Sequence, residues 1–342
     1  MAFPTIRCLA LLLATAGPAF ADYSGHPRVP ELLDRLASEY GFSAAELEQV
    51  RSALANAQRL PQLVEQEQKA PEKTETWTQY ARRIDATRIE QGIAVLHEHA
   101  AWFARAEEEY GVPPAMIAGV LGIETRYGRI TGSVRVLDAL STQGFEHPSR
   151  HRYFFSELAE YFAFCRELDI APTAPQGSYA GAMGAAQFMP SNYRRLAVDF
   201  DGDGRRDLWR LPDAIGSIAR YLTEYDPSRA WRRGEPVIVA ARLTGAHLAP
   251  GTPVNGRRVT HRAADLPALG LATEVALPPD TAVGIIELEL DNDGREYWVA
   301  LANFYSVMTY NPRVYYAMAV AQLARRIDEA LLVSRQAEEP PG

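Results

Sequence analysis

Apolar positions recur mostly at helical spacing along this chain. "PELLDRLASEYG" sets Leu32, Leu33 and Leu36 on one side and stops at Gly41. "SAAELEQVRSALANAQRL" opens with Ser43 three residues ahead of Glu46, the spacing at which the two side chains cap a helix start reciprocally. Two short helices are therefore expected between Val29 and about residue 70, followed by the charged, turn-like connector "EQEQKAPEKTETW". "WTQYARRIDATRIEQGIAVLHEHAAWFARAEEEYG" is long and periodic and predicts one or two helices ending at Gly111. Pro113 and Pro114 then begin another helix, because a first turn needs no intrahelical donor. Two more helical stretches from Asp138 to Leu168 flank the turn-rich "STQGFEHPSRH". In "APTAPQGSYAGAMGAAQFMPSNY" small residues dominate and only the later part suits a helix, while "PDAIGSIARYLTEY" resumes the helical period.

Near Gly234 the period changes. "EPVIVAARL", "VGIIELEL" and "REYWVAL" are β-branched or alternating runs, and Asp291-Asn292-Asp293-Gly294 joins the last two as a hairpin turn. Residues 234–302 read as a small β-containing subdomain, "YNPRVYYAMAVAQLARRIDEALL" as a final helix and 336–342 as a disordered tail. The class is mainly α with a small β part.

The first 21 residues stand apart. Arg7, the apolar run from Cys8 to Ala16 and the small-x-small Ala19-Phe20-Ala21 make a secretory signal peptide, too short in its apolar part to stop in a membrane. Cys8 lacks the small-residue signature of a lipid-modified cysteine, so no membrane anchor is expected. A net charge of −8 argues against nucleic acid or an anionic membrane as partner. Beyond the signal a single cysteine remains, Cys165 in "YFAFCREL", so the exported chain rests on its core without an internal disulfide, and Cys165 reads as a packing residue.

Candidate chemistry begins where a carboxylate replaces a hydrocarbon. In "VPPAMIAGVLGIETRYG" the side chains of Met116, Ile117, Val120 and Leu121 follow the inward face of a helix, and the next member of that series is Glu124. An apolar surrounding and the negative end of the helix dipole both favour a carboxyl that keeps its proton, the condition for a general acid. Asp138, Glu146 and Glu157 are nearby in sequence as candidates for a second carboxylate, which ordinary glycosidases require.

"YGVPPAMIAGVLGIETRYGRITGSVRVLDAL", then "GSYAGAMGAAQFMPSNYRRLAVDFDGDGRRDLW", then "NFYSVMTYN" resemble, in that order, the lytic murein transglycosylase B family. The resemblance covers most of residues 85–325. It implies a lysozyme-like core over 106–233, with an all-helical domain formed by 22–105 and 312–335, and 303–311 returning to the groove. It makes Glu124 the single catalytic acid and peptidoglycan glycan strands the substrate. The implied reaction cuts the β-1,4 bond between N-acetylmuramic acid and N-acetylglucosamine and leaves 1,6-anhydromuramoyl ends, without a cofactor. Ser178 and Gln187 become candidates for hydrogen bonds to the sugar. Tyr127, Tyr305, Tyr310 and Asn311 are expected to face the groove, tyrosine joining an apolar ring to a polar tip. Tyr315 and Tyr316 read as packing residues, and Gly181 and Gly184 as close-packing positions.

"DFDGDGRRDLWRLPD" places Asp199, Asp201 and Asp203 at positions 1, 3 and 5 of an EF-hand-like loop, with Gly204 at the sharp turn and the Arg205 carbonyl at position 7. Position 12 is Arg210 and not the usual glutamate. The family's loop closes late, which implies Asp213 as the last ligand of a structural Ca2+ in the loop 199–213. The "DNDG" at 291 is a hairpin turn and not a second ion site. Periplasmic location follows from the signal peptide together with the resemblance. The rival readings are a hydrolytic muramidase of the same fold and a non-catalytic, calcium-dependent peptidoglycan-binding protein. Association with a cell-wall synthesis machinery leaves no mark in the sequence.

Overall fold

The computed structural model describes residues 22–68 and 74–338, so the expected signal peptide and the last four residues lie outside it. Helices α1 (Val29–Tyr40), α2 (Ala44–Ala55), α3 (Gln62–Gln68), α4 (Trp77–Tyr80), α5 (Ala86–Glu98) and α6 (Ala100–Tyr110) precede α7 (Pro114–Thr125). Strand β1 (Val134–Arg135) leads into α8 (Val136–Glu146) and α9 (His151–Glu167) and pairs with β2 (Gln176–Gly177), ahead of α10 (Pro190–Leu196) and α11 (Leu211–Glu224). Strands β3 (Ile238–Leu243), β4 (His261–Arg262), β5 (Leu271–Thr273), β6 (Ala282–Glu289) and β7 (Arg295–Ala300) follow, then α12 (Ala302–Tyr310) and α13 (Val314–Glu338).

Local chemistry sets most of these boundaries. Ser43 and Glu46 form the reciprocal cap of α2, and Gly41 and Gly111 end α1 and α6 in the left-handed conformation. The long periodic stretch from Trp77 breaks into three pieces. Asp85 starts α5 afresh by accepting the Arg88 amide, and His99, at φ −113°, separates α5 from α6. At the far end α13 runs on to Glu338, into the stretch expected to be a disordered tail.

The packing explains why α7 is so apolar. Ala115 to Gly122 are all buried, because α13, α5, α6 and α11 surround the helix. The apolar positions are therefore an enclosed rod and not one stripe. Against α13 the backbones come close: a side-chain carbon on Gly119 would stand 2.8 Å from the Val320 carbonyl oxygen. The N-terminal helices divide between two supports. α1 lies on α9, where the Tyr40 hydroxyl donates to Glu160 at 2.9 Å, while α4 and α5 lie on α13. One continuous core runs from Tyr23 to Ile327.

The five-stranded antiparallel sheet has the order β4-β6-β7-β3-β5 and its own small core of Leu266, Leu271, Val283, Ile285 and Val299. The β6–β7 hairpin turns at Asp291–Asp293. There Asn292 and Asp293 take the positive φ values (65° and 59°), and Gly294 is extended.

Candidate active site

Glu124 is half-buried in the last turn of α7, where the enclosed helix emerges. The helix end is a tight reversal: the Arg126 amide donates to the Gly122 carbonyl and the Tyr127 amide to that of Leu121, at 3.2 and 3.0 Å. Arg126 and Tyr127 both hold positive φ, 49° and 61°, which costs a non-glycine residue on the order of 1 kcal/mol. This reversal carries Tyr127 back into the protein and away from the groove expected for it. Its buried hydroxyl donates to the Arg88 carbonyl at 2.8 Å, tying α7 to α5. Thr125 fixes the other side of the turn, donating to the Ala185 carbonyl and accepting the Gly128 amide, both at 2.9 Å.

The partner that orients Glu124 comes from far along the chain. The Tyr316 hydroxyl, in the first turn of α13, donates to Glu124 Oε1 at 2.5 Å across 192 positions. Burial, and then the nearby Glu124 charge, push the Tyr316 hydroxyl well above the usual tyrosine range, so it remains a donor at neutral pH. Tyr310, at the end of α12, is shifted the same way by burial and by Glu124, and donates to the Ala186 carbonyl at 2.8 Å. Its ring centroid lies 4.4 Å from Tyr221 and 5.9 Å from Phe188, and Tyr221 stacks on Tyr225 at 4.5 Å. An aromatic wall thus stands beside the acid.

Tyr305 is not on that wall. It precedes Tyr310 by five residues, a rotation of about 140° around a helix with 3.6 residues per turn. It is buried with its hydroxyl against Gly284 of β6, where a side-chain carbon would come within 1.8 Å, and that hydroxyl has no hydrogen-bond partner among the described residues. Burial pushes it up to about 12. Tyr305 therefore seats α12 on the sheet. Asn311 is half-buried at the end of α12.

Ser178 and Gln187 are half-buried, and their polar atoms are engaged by backbone. Ser178 Oγ accepts the amides of Ala180 and Ala182 at 3.2 and 3.1 Å, and Gln187 Nε2 donates to the carbonyls of Thr131 and Gly184 at 3.1 and 2.9 Å. Gly184 needs its glycine: φ is +71°, and a side-chain carbon would meet the Leu208 carbonyl oxygen at 2.6 Å. Gly181 likewise abuts Leu140, and Cys165 is buried in the core.

The three candidate second carboxylates are each held elsewhere. Asp138 is paired with Arg135 at 2.7 Å and accepts the Gln58 amide, and Glu146 accepts from the Tyr23 hydroxyl and Arg59. Glu157 accepts both the amide and the hydroxyl of Ser191, capping α10.

In the acidic loop, oxygens of Asp199, Asp201 and Asp213 lie within 4.8 Å of one another. Asp213 closes the loop late, accepting the amides of Phe200 and Asp207 at 2.7 Å each. Asp199 accepts those of Gly202, Asp203 and Gly204. Arg210 pairs with both Asp201 and Asp203, at 3.2 and 2.5 Å, and Asp203 accepts the Arg205 amide. Carboxylate oxygens at this spacing suit a hard cation such as Ca2+.

Sequence reasoning missed Tyr316, Tyr221 and Tyr225. The first was assigned to packing, and the others sit in a helical period that gives tyrosine no distinguishing mark.

Residues 25–325 match the family model described as transglycosylase SLT domain. The chain is 34% identical over 316 residues to Membrane-bound lytic murein transglycosylase B of Escherichia coli (strain K12), covering 90% of this chain and 84% of the relative. It is similar to the catenated lytic transglycosylase SltB1 of Pseudomonas aeruginosa, with a TM-score of 0.81 and 40% identity over 90% of this chain and 99% of that one. It is also similar to the Escherichia coli lytic transglycosylase Slt35 in complex with calcium, with a TM-score of 0.81 and 34% identity over 92% and 97%.

Proposed function

The chain belongs to the transglycosylase SLT domain family, and on that premise we propose that Glu124 alone serves as acid and then base in cutting peptidoglycan strands. The protein is a lytic murein transglycosylase, a lyase acting on peptidoglycan, with a lysozyme-like core. The observation that carries the one-carboxylate reading is Glu124 Oε1 held by Tyr316 beside the Tyr310 wall, with Asp138, Glu146 and Glu157 engaged by other partners.

Glu124 gives its proton to the glycosidic oxygen as the bond from the muramoyl C1 to that oxygen breaks. The electron pair leaves with the N-acetylglucosamine oxygen. The muramoyl C6 hydroxyl then bonds to C1 and its proton returns to Glu124, closing the 1,6-anhydro ring without water. Tyr316 keeps the carboxyl oriented through both transfers. Tyr310 and Asn311 line the sugar site, and Ser178 and Gln187 shape its floor and offer their remaining polar valences.

The acidic loop holds a structural Ca2+ in this reading. Asp199, Asp201 and Asp213 would hold it, with Asp203 and the Arg205 carbonyl as the further ligands that the family's loop implies. No step of the reaction passes through it. The composition of the first 21 residues supports export to the periplasm. Among the described residues no helix is long and apolar enough to cross a membrane.

Mass spectrometry of products from purified sacculi tests the mechanism. Anhydromuramoyl ends from the parent, absent with Glu124→Gln, are expected; reducing muramic ends would mean that water attacks and a second carboxylate is at work.

A further inference from the structure

The aromatic wall beside Glu124 continues past the end of α11. Tyr225, stacked on Tyr221 at 4.5 Å, carries the Arg195 guanidinium over its ring at 4.9 Å. At this pair a cavity of about 460 Å3 opens between α9, α10 and the end of α11, lined by Glu160, Ser191, Asn192, Arg194, Arg195 and Tyr225. Most of these groups are already engaged. Arg194 reaches both Glu160 and Glu167, Glu160 also accepts the Tyr40 hydroxyl, and the Ser191 hydroxyl donates to Glu157. Two are not. Arg195 is exposed, and among the described residues no carboxylate pairs with it. The half-buried Asn192 side chain makes no hydrogen bond among the described residues.

Both open groups are wet in the free protein, so a ligand must return what water supplies. A guanidinium takes a carboxylate through two N–H groups, and a side-chain amide meets a peptide bond as donor and acceptor at once. A pyranose is poorly served here, because the Tyr225 ring already holds Tyr221 and Arg195 and has no face left for stacking. The N-acetylated sugars of a peptidoglycan strand are also uncharged, whereas the short peptide borne by the muramoyl lactyl group ends in carboxylates. The position agrees: Tyr310, beside the acid, lies 4.4 Å from Tyr221, so two ring contacts separate the groove from the cavity. Resting on the peptidoglycan reading above, we propose that this cavity receives the stem peptide of the strand held in the groove. Arg195 pairs with a peptide carboxylate and Asn192 with a peptide bond.

The test compares the parent with Arg195→Ala and Arg195→Lys on peptide-bearing glycan strands and on strands stripped of peptide by an amidase. Arg195 is exposed, so neither variant threatens the fold. On peptide-bearing strands Arg195→Ala should raise KM about tenfold with kcat unchanged, the loss of one charge-assisted contact. Arg195→Lys should recover part of that loss, keeping the charge without the planar fork. Asn192→Ala should raise KM about threefold. Stripping should bring the parent's KM to that of Arg195→Ala and leave the two alike. Equal KM for the parent and Arg195→Ala on peptide-bearing strands would overturn the site. A loss that persists on stripped strands, where the lactyl carboxyl is bared, would give Arg195 to the sugar and overturn the peptide assignment. A parent that releases anhydromuramoyl ends from neither kind of strand would instead sink the catalytic reading, and this site with it.

Discussion

The core contains two carboxylate sites built in opposite ways. In the loop from Asp199 to Asp213 the acidic side chains accept amides two to thirteen positions away, so the segment makes its own architecture. Glu124 is oriented by a phenol 192 positions away, and that contact exists only once α13 has packed on α7. The first site is a local property of the chain and the second a property of the whole fold. Damage to the packing of α13 should therefore reach the acid before it reaches the loop.

The largest expected effect is on the acid itself. Glu124→Gln keeps the side chain's shape and removes the transferable proton, so turnover on sacculi should fall by about a thousandfold, within the range general acid–base catalysis supplies. Tyr316→Phe sharpens the contrast. It removes the long-range donor without emptying the site, and kcat should fall roughly 10- to 100-fold, the cost of one charge-assisted hydrogen bond. Tyr310→Phe, which loses only a bond to the Ala186 carbonyl, should cost less. Equal kcat in Tyr316→Phe and the parent would mean that the phenol is packing alone.

The same contrast decides what could be read from the sequence. Features made of neighbours were legible: the Ser43–Glu46 cap, the hairpin at 291, and the spaced aspartates that open the acidic loop, whereas Asp213 was reached only through the family resemblance. Glu124 was also singled out, though for a stripe that turns out to belong to a helix buried on every side from Ala115 to Gly122. Aromatic roles were not legible, because direction depends on what lies across the chain. Tyr127 is turned inward by two successive left-handed residues, and Tyr305 by about 140° of helix, while Tyr316 gained its role from the approach of α7.

Asp213→Asn probes the local site. Its carboxylate accepts the amides of Phe200, Asp201 and Asp207, and a neutral amide can replace only part of that acceptance. Unfolding free energy should drop by about 1–3 kcal/mol, the range for hydrogen bonds to a charged group. Any rise in Tm on adding calcium should vanish with it, as mass action requires once the ion no longer binds the native state. Catalysis at saturating sacculus should fall far less than in Tyr316→Phe. A larger loss of kcat than of stability would erase the distinction between the two sites.

Glu157 is an intermediate case and should give the smallest effect. It reaches Ser191 across 34 positions, accepting an amide and a hydroxyl at the start of α10. Burial nevertheless raises its carboxyl above the ordinary value of 4.5, against the lowering effect of those two bonds. A group that binds its proton more tightly when folded contributes stability below its unfolded value and loses it as pH rises through the folded one. From pH 4.5 upward the parent's Tm should therefore drift down relative to Glu157→Gln, and the difference should level off once Glu157 is ionised in the folded protein. Thermal melts of the pair from pH 4 to pH 8 measure this directly. A parent that gains on the variant over that interval would show that the Ser191 cap outweighs burial, and Glu157 would then join the local carboxylates of the loop.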